Sequence, residues 1–301
     1  MMKYTFKADK NYSKLRYYLQ SIGLSTNTIK QLSKYEGQIR QNNKPIIMNQ
    51  RVCKNSIIEI NIEETETSEI VLTKGNLNIY YEDKYLLVVY KETGTATIPS
   101  YCNNENSLAN YVCYYMSKTQ PDFIYRAINR LDKDTSGFII ICKDIIIYNL
   151  MSKYKIIKKY EVVTIGKLKK QTITYKIIST KNECERNNIL REIDNEKGKE
   201  SITQILYAKY YKKYNISYGQ IRIFTGRTHQ IRLHLSTIKC PILGDRLYGN
   251  KKADRMFLNC YYISFYHPIL KKRIKLKNVI FKNKIKELNQ AYLEDYQNEE
   301  M

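Results

Sequence analysis

Apolar and polar positions along the chain change period several times, and each change marks an expected element. Leu15, Tyr18, Leu19 and Ile22 recur at helical spacing, which predicts a helix over 12–22 ended by Gly23. Ser25 stands where it can cap a second helix that holds Ile29 and Leu32, with Lys30 and Lys34 four apart on one face. Residues 45–52 read as a strand, a tight turn around Asn49 and the start of another strand, and 57–62 alternates as a half-buried strand should. Residues 63–75 turn acidic, polar and rich in Thr, and read as a linker. From Leu77 onward strand patterns dominate. Strands are expected over 77–81, 85–90, 138–142, 160–166, 202–207 and 218–224, with helices over 107–116 and 145–157 and an exposed polar excursion over 180–200. No repeat at a fixed period appears. The mixture predicts an α+β fold: a long, mainly antiparallel mixed sheet flanked by helices, beside a small αβ unit.

Charge narrows the partners. Lys and Arg number 51 against 29 Asp and Glu, a formal charge of +22. An AT-rich genome would enrich Lys, Ile, Asn and Tyr, but it need not hold Asp and Glu this low. The excess points to a polyanion, because phosphate neutralisation by Lys and Arg is the main source of nucleic-acid affinity. The seven cysteines show no CxxC spacing, so neither a disulfide framework nor a zinc site is expected, and several sit in apolar runs as core filler. A reducing cytoplasm fits them. No signal peptide is read at the N-terminus, and no apolar stretch nears the roughly 20 residues of a membrane span.

The candidate chemistry begins at Asn129-Arg130-Leu131-Asp132-Lys133-Asp134-Thr135-Ser136-Gly137, where an acidic residue follows an arginine inside a Gly-terminated turn that leads into an apolar strand. A carboxylate at the mouth of a strand, among cations, is a candidate nucleophile or base for work on nucleic acid. Taken alone, Asp132 or Asp134 reads first as a turn cap and Tyr160, one of 29 tyrosines, first as a core or surface strand residue; Arg232 and His234 fit a solvated helix face, and His229 a structural histidine.

Two separated motifs change that balance. Arg130-Leu131-Asp132 with Thr135-Ser136-Gly137, and later Thr225-Gly226-Arg227-Thr228-His229-Gln230-Ile231-Arg232, resemble the two signatures of the RluA-type pseudouridine synthases. The run 241–249, Lys159-Tyr160, the polar loop and strand from Gly198, and Ser264-Phe265-Tyr266-His267-Pro268 resemble further parts of the same family in the same order. The resemblance spans about residues 77–285. It implies an isomerase that breaks the N-glycosidic bond of uridine and rejoins the ribose to carbon-5, a reaction that needs no cofactor, and no dinucleotide or phosphate-cradling loop is found. It assigns Asp132 as the catalytic carboxylate, Arg232 as its charge partner, Tyr160 as the ring that stacks on the uracil with a hydroxyl placed to assist proton removal, and Arg130 as the residue that fills the space left by the flipped base. Residues 1–62 resemble a small RNA-binding domain shared with a ribosomal small-subunit protein, which gives the expected division 1–62, linker 63–76 and catalytic domain 77–301. Ribosomal RNA of the large subunit is the expected substrate, with transfer RNA as the alternative and a monomer favoured.

Three positions depart from the family pattern. Asn129 replaces the usual His before Arg-Leu-Asp, Glu92 replaces the proline of Lys-Pro-x-Gly, and Asn259 stands where a second His is frequent. The two Asn replacements suggest a single hydrogen-bond network holding both. The departures also keep alive a catalytically silent RNA-binding or ribosome-assembly factor on the same fold. A basic DNA-binding protein lacks a helix-turn-helix or zinc signature here.

Overall fold

The computed structural model describes residues 2–34, 37–62, 68–100, 104–179, 190–249, 253–282 and 285. Its N-terminal part is a four-stranded antiparallel sheet of β1 (Met2–Lys7), β2 (Ile39–Gln41), β3 (Lys44–Pro45) and β4 (Ile57–Ile62), in the order β1-β4-β2-β3. Helices α1 (Leu15–Ile22) and α2 (Thr26–Leu32) bury Leu15, Leu19 and Ile29 with Ile58 and Ile60 of β4. α1 starts later than the periodicity suggests, because Tyr12 pairs its backbone with Val52 instead. Gly23 ends it at φ 114°, a left-handed conformation that suits glycine, and Ser25 Oγ accepts from the Thr28 N–H to cap α2. The expected turn around Asn49 is present, closed by the Gln50 N–H on the Ile47 carbonyl at 3.0 Å. A second turn, unforeseen, joins β2 to β3 at Asn42 and Asn43, at φ 48° and 69°, since Asn tolerates the left-handed region that a tight hairpin needs. β1 lacked an apolar pattern strong enough to be foreseen.

The remainder builds one eleven-stranded sheet. Its path runs β11 (Arg191–Ile193), β10 (Thr172–Ser179), β12 (Lys199–Tyr211), β13 (Ile216–Ile223), β9 (Ile157–Ile165), β14 (Leu258–His267), β8 (Ser136–Cys142), β6 (Leu86–Lys91) and β5 (Asn78–Glu82), with β15 (Lys272–Lys277) on β14 and β7 (Arg126–Ala127) on β8. Among these named strands only β14 and β8 pair in parallel, at Asn259 with Ser136 and Cys260 with Gly137. The approach is close enough that a Cβ at Gly137 would lie 2.4 Å from the Cys260 Cβ, so this position of the signature is glycine for packing as well as for its φ of 133°. Helices α3 (Leu108–Ser117), α4 (Ile145–Ser152) and α5 (Gln230–Thr237) complete an α+β fold around a mainly antiparallel sheet.

Two expected segments are redrawn. The helical spacing over 145–157 breaks at Ser152, and Ile157 opens β9, because a short apolar run fits a strand as well as a helix. Of the excursion over 180–200, residues 180–189 lie outside the described residues, while Arg191–Ile193 pairs with β10 as an edge strand and Lys199 already belongs to β12. Of the expected linker, 63–67 lie outside the described residues, and 68–77 carry neither helix nor strand.

The N-terminal sheet is docked on the remainder of the chain through α4. Ile146 and Leu150 of α4 belong to the same buried cluster as Leu15, Leu19 and Ile60. The Tyr4 hydroxyl donates to Asp144, the Asn149 carbonyl accepts from the Ser25 N–H at 2.8 Å, and Lys153 donates to the Ser21 carbonyl at 2.6 Å. Among the described residues no helix is long and apolar enough to cross a membrane. Cys113, Cys142, Cys240 and Cys260 are buried free thiols.

Candidate active site

The loop between β7 and β8 presents Asp132, and four side chains hold that loop still. Asn129 donates to the Phe138 carbonyl at 2.9 Å and accepts from the Ile140 N–H at 3.0 Å, so it is stitched to the backbone of β8. Thr97 donates to the Leu131 carbonyl, and Thr93 donates to that of Asp134. Lys91 is buried and donates to the carbonyls of Glu92, Thr95 and Lys133 at 2.9, 2.7 and 2.9 Å. Burial pulls its pKa down to about 7, against the opposing pull of Asp132 and Asp134. This ammonium ties the turn at Glu92, where the resembled pattern has a rigid proline, directly to the loop that carries Asp132. Asn259 has a different set of partners: Tyr90, Ser136 and Glu161 through hydrogen bonds of 2.9, 3.3 and 2.8 Å. It shares none of them with Asn129, so the single network expected to join the two Asn replacements does not form.

The second wall is the turn from Thr225 into α5. Gln230 clamps it, accepting from Thr225 Oγ1 and the Arg227 N–H while donating to the Ile202 carbonyl and Thr203 Oγ1 on β12. His229 sits at φ 56° just ahead of α5. Arg232 and His234 are buried, so neither belongs to a solvated helix face. His234 pairs with Ser201 Oγ at 2.8 Å, and burial lowers its pKa to about 4; it is a neutral structural histidine.

These walls converge on Asp132. Its Oδ2 lies 3.6 Å from Arg232 Nη1 and 3.8 Å from His229 Nε2. The guanidinium is a shared one: Nε and Nη2 form a two-pronged pair with Asp245 at 2.8 and 2.7 Å. Burial would raise the Asp245 pKa, but Arg232 and the N–H groups of Leu247 and Tyr248 lower it on balance. Asp245 therefore sets the height and tilt of Arg232, and Tyr248 packs beneath the guanidinium at 5.3 Å from its ring centre. Sequence reasoning placed residues 241–249 in the family pattern but missed this role. The available signal was an acidic residue next to Gly244, whose φ of 76° makes the sharp turn that aims it. Burial lowers the His229 pKa and Asp132 opposes that, so the ring beside the carboxylate is disposed to be neutral.

Tyr160 projects from β9 into the same hollow and is buried. Burial, with the Cys260 thiol and Asp132 nearby, raises its pKa well above the usual phenol value. The ring is thus a dry flat wall, and its hydroxyl is poorly disposed to act as a phenolate base. Arg130 is exposed at the rim. The cavity enclosed by Asp132, Tyr160, Arg232, His229, Lys158 and Leu131 measures about 230 Å³. Among the described residues no three His, Cys, Asp or Glu side chains converge as metal ligands.

One carboxylate facing a buried arginine and a buried aromatic ring, at a hollow of nucleobase size in a basic chain, defines a base-modifying enzyme of the pseudouridine synthase kind. Comparison with known proteins agrees. Residues 85–237 match the family described as RNA pseudouridylate synthase. An uncharacterized RNA pseudouridine synthase of Bacillus subtilis is 30% identical over 77% of this chain and 78% of its own. Ribosomal large subunit pseudouridine synthase C of Rickettsia prowazekii is 32% identical over 90% of this chain and 93% of its own. The solved structure of human RNA pseudouridylate synthase domain containing 1 shares the fold, with a TM-score of 0.53 at 23% identity over 72% of this chain and 86% of that one. The chain belongs to the RNA pseudouridylate synthases, within their RluA-type group.

Proposed function

We propose that this synthase isomerises uridine in large-subunit ribosomal RNA, with Asp132 acting at the anomeric carbon or the base of a uridine flipped into the 230 Å³ cavity. The observation that carries the reading is the Asp132 carboxylate, open to the cavity and only 3.6 Å from a guanidinium that Asp245 holds in place. Arg232 sets a positive charge beside Asp132 and orients it. Tyr160 stacks on the uracil. Arg130, exposed at the rim, fills the gap in the RNA stack, which offsets part of the few kcal/mol needed to unstack a base. The C1′–N1 bond breaks and a C1′–C5 bond forms within one nucleoside, so no group donor or redox partner enters the balance. The N-terminal sheet, locked to α4, adds a second RNA contact at a set distance from the pocket. The ribosomal target draws support from the Rickettsia relative, a ribosomal large subunit pseudouridine synthase, and from the charge of +22.

The test maps pseudouridine in ribosomal and transfer RNA from cells with and without the gene, then complements with Asp132→Ala. Loss of one or a few large-subunit sites that the wild-type gene restores and Asp132→Ala does not is the expected result. Sites lost only from transfer RNA would move the target, and restoration by Asp132→Ala would overturn the assignment of the carboxylate.

A further inference from the structure

Lys158 is a cation in the pocket that no partner occupies. It stands on β9 two residues before Tyr160, so the two-residue period of the strand turns both side chains to one face, and both line the cavity that Asp132 enters. Its chain crosses the hollow: Nζ reaches to 4.0 Å from the point where a Cβ would stand at Gly226. The Cys260 thiol on β14 is its neighbour behind the pocket. Yet Nζ makes no hydrogen bond and no ion pair with any described residue, Asp132 included. The surrounding cations differ. Arg232 has Asp245, Arg227 Nε has the Glu200 carbonyl, and Lys91 has three carbonyls. A half-buried ammonium with no acceptor is unfavourable in the resting protein, and an incoming oxygen would relieve it.

The flat pocket leaves room for one oxygen-bearing guest. Uracil carries two carbonyl oxygens. When C1′–N1 breaks, the bonding pair stays on the ring and spreads over N1, O2 and O4. We infer that Lys158 is a second catalytic residue, whose ammonium donates a hydrogen bond to a uracil carbonyl oxygen and stabilises the uracil anion that exists between glycosidic cleavage and carbon–carbon bond formation. The inference rests on the Asp132 reading above. The pair that left with N1 returns from C5 to C1′. C5 then loses its proton to water and N1 takes one up, so protons and electrons balance while Lys158 stays protonated throughout. Burial makes Lys158 more acidic than an ordinary lysine, hence a stronger donor to an oxygen that gains charge only as the bond breaks. Tyr160, with its raised pKa, supplies the face of the pocket, and Lys158 supplies its polar edge.

The experiment measures single-turnover cleavage of the glycosidic bond in a ribosomal RNA fragment that carries the mapped uridine, or 5-fluorouridine in its place. Wild type, Lys158→Met and Lys158→Arg are compared. Fluorine at C5 withdraws charge from the departing ring and so replaces part of what the ammonium does. Lys158→Met is expected to slow the uridine reaction by on the order of 10²-fold and the fluorouridine reaction much less. Lys158→Arg is expected to recover part of the rate, with RNA affinity and its salt dependence unchanged in both variants. Equal slowing of both substrates would mean a structural role and overturn the inference. So would a loss of affinity with a salt slope lowered by about 1, the mark of a phosphate contact. A rate within about twofold of wild type overturns it as well. Folded wild-type protein that leaves the uridine untouched would overturn the Asp132 reading and this inference together, a result distinct from any Lys158 phenotype.

Discussion

The two ends of β8 each carry an aspartate, and the fold treats them in opposite ways. Asp144, just past the strand, is 1% exposed; its carboxylate takes the Tyr4 hydroxyl and the N–H groups of Ile146 and Ile147 at 2.8 and 3.0 Å. It caps α4 and locks the N-terminal sheet to it. The Asp132 side chain, ahead of the strand, is 21% exposed, with Arg232 and His229 at 3.6 and 3.8 Å, beyond good hydrogen-bond distance. One carboxylate is saturated and the other is held short of saturation. The rigidity that Asp132 needs comes from its backbone, through Lys91, Thr97 and Asn129, so the lone pairs remain available to a substrate. An acidic side chain that serves architecture is recognisable by its full set of donors; one that serves chemistry is recognisable by a well-braced loop around a poorly paired head.

The sharpest way to break this contrast is to neutralise each carboxylate without changing its shape. Asp132→Asn is expected to lower the single-turnover rate by on the order of 10⁴-fold. Its melting temperature should stay within about 2 °C of wild type, because little in the resting structure leans on that carboxylate. A large drop in melting temperature would show that Asp132 is structural after all. Asp245 is the intermediate case, a saturated carboxylate paired with Arg232, through which the proposed site would feel it. Asp245→Ala leaves a buried guanidinium with only Asp132 to turn to, and should cost about 3–4 kcal/mol of stability in denaturant titration. It should also lower the rate at saturating RNA, since Arg232 would then tie up the carboxylate it now orients. Unchanged turnover in a folded Asp245→Ala enzyme would remove Asp245 from the account.

At the other end of β8, Asp144→Ala strands the Tyr4 hydroxyl and two helix N–H groups, for about 3 kcal/mol in all. Tyr4→Phe removes a single hydrogen bond of the dock, for about 1 kcal/mol. Both should reduce RNA affinity more than the rate at saturation, because the damage lies at the join between the N-terminal sheet and α4, away from the cavity. Limited proteolysis after residue 62 reads the loosening directly. Resistance equal to wild type in Asp144→Ala would mean that the apolar contacts of Ile146 and Leu150 suffice to hold the dock.

The contrast also explains what could be read from the sequence. Asp132, Tyr160, Arg232 and Arg130 could be singled out as candidates because they lie in motifs with a local logic: a carboxylate in a Gly-terminated turn, an aromatic on a strand, a cation in the first turn of a helix. The structure gathers the first three around one cavity and sets Arg130 at its rim. Their supports were not legible. Lys91, Asn129 and Asp245 act across 42, 9 and 13 residues of chain, and nothing in the composition of a Lys-rich sequence marks Lys91 as buried. Lys158 was hidden in the same way, one lysine in a run of basic residues until β9 turned it inward. For the fold, long apolar strands such as β6, β8 and β9 were plain from their pattern, whereas β10 and β11 were not, because an edge region alternates weakly and exposes much of its surface. The tie between Tyr4 and Asp144 spans 140 residues and lies outside any local periodicity.

The smallest expected effect concerns pH and the buried carboxylate of Asp144. Burial raises the Asp144 pKa above its ordinary value, although Tyr4 and two N–H groups pull the other way. The folded protein therefore binds more protons at this site than the unfolded chain in the window just above the ordinary carboxylate pKa of about 4. Stability contributed by this group then falls as pH rises through that window and grows as pH falls toward its lower edge, by at most about 1.4 kcal/mol per pH unit. Asp144→Asn keeps the acceptor that caps α4 but has no proton to exchange. Plotted against pH between about 4 and 6, the stability difference between Asp144→Asn and wild type should narrow toward the acid side, where wild-type Asp144 is itself neutral. A flat difference for Asp144→Asn would mean that the three donors, and not burial, govern this carboxylate, which would place it closer to Asp245 than the comparison holds.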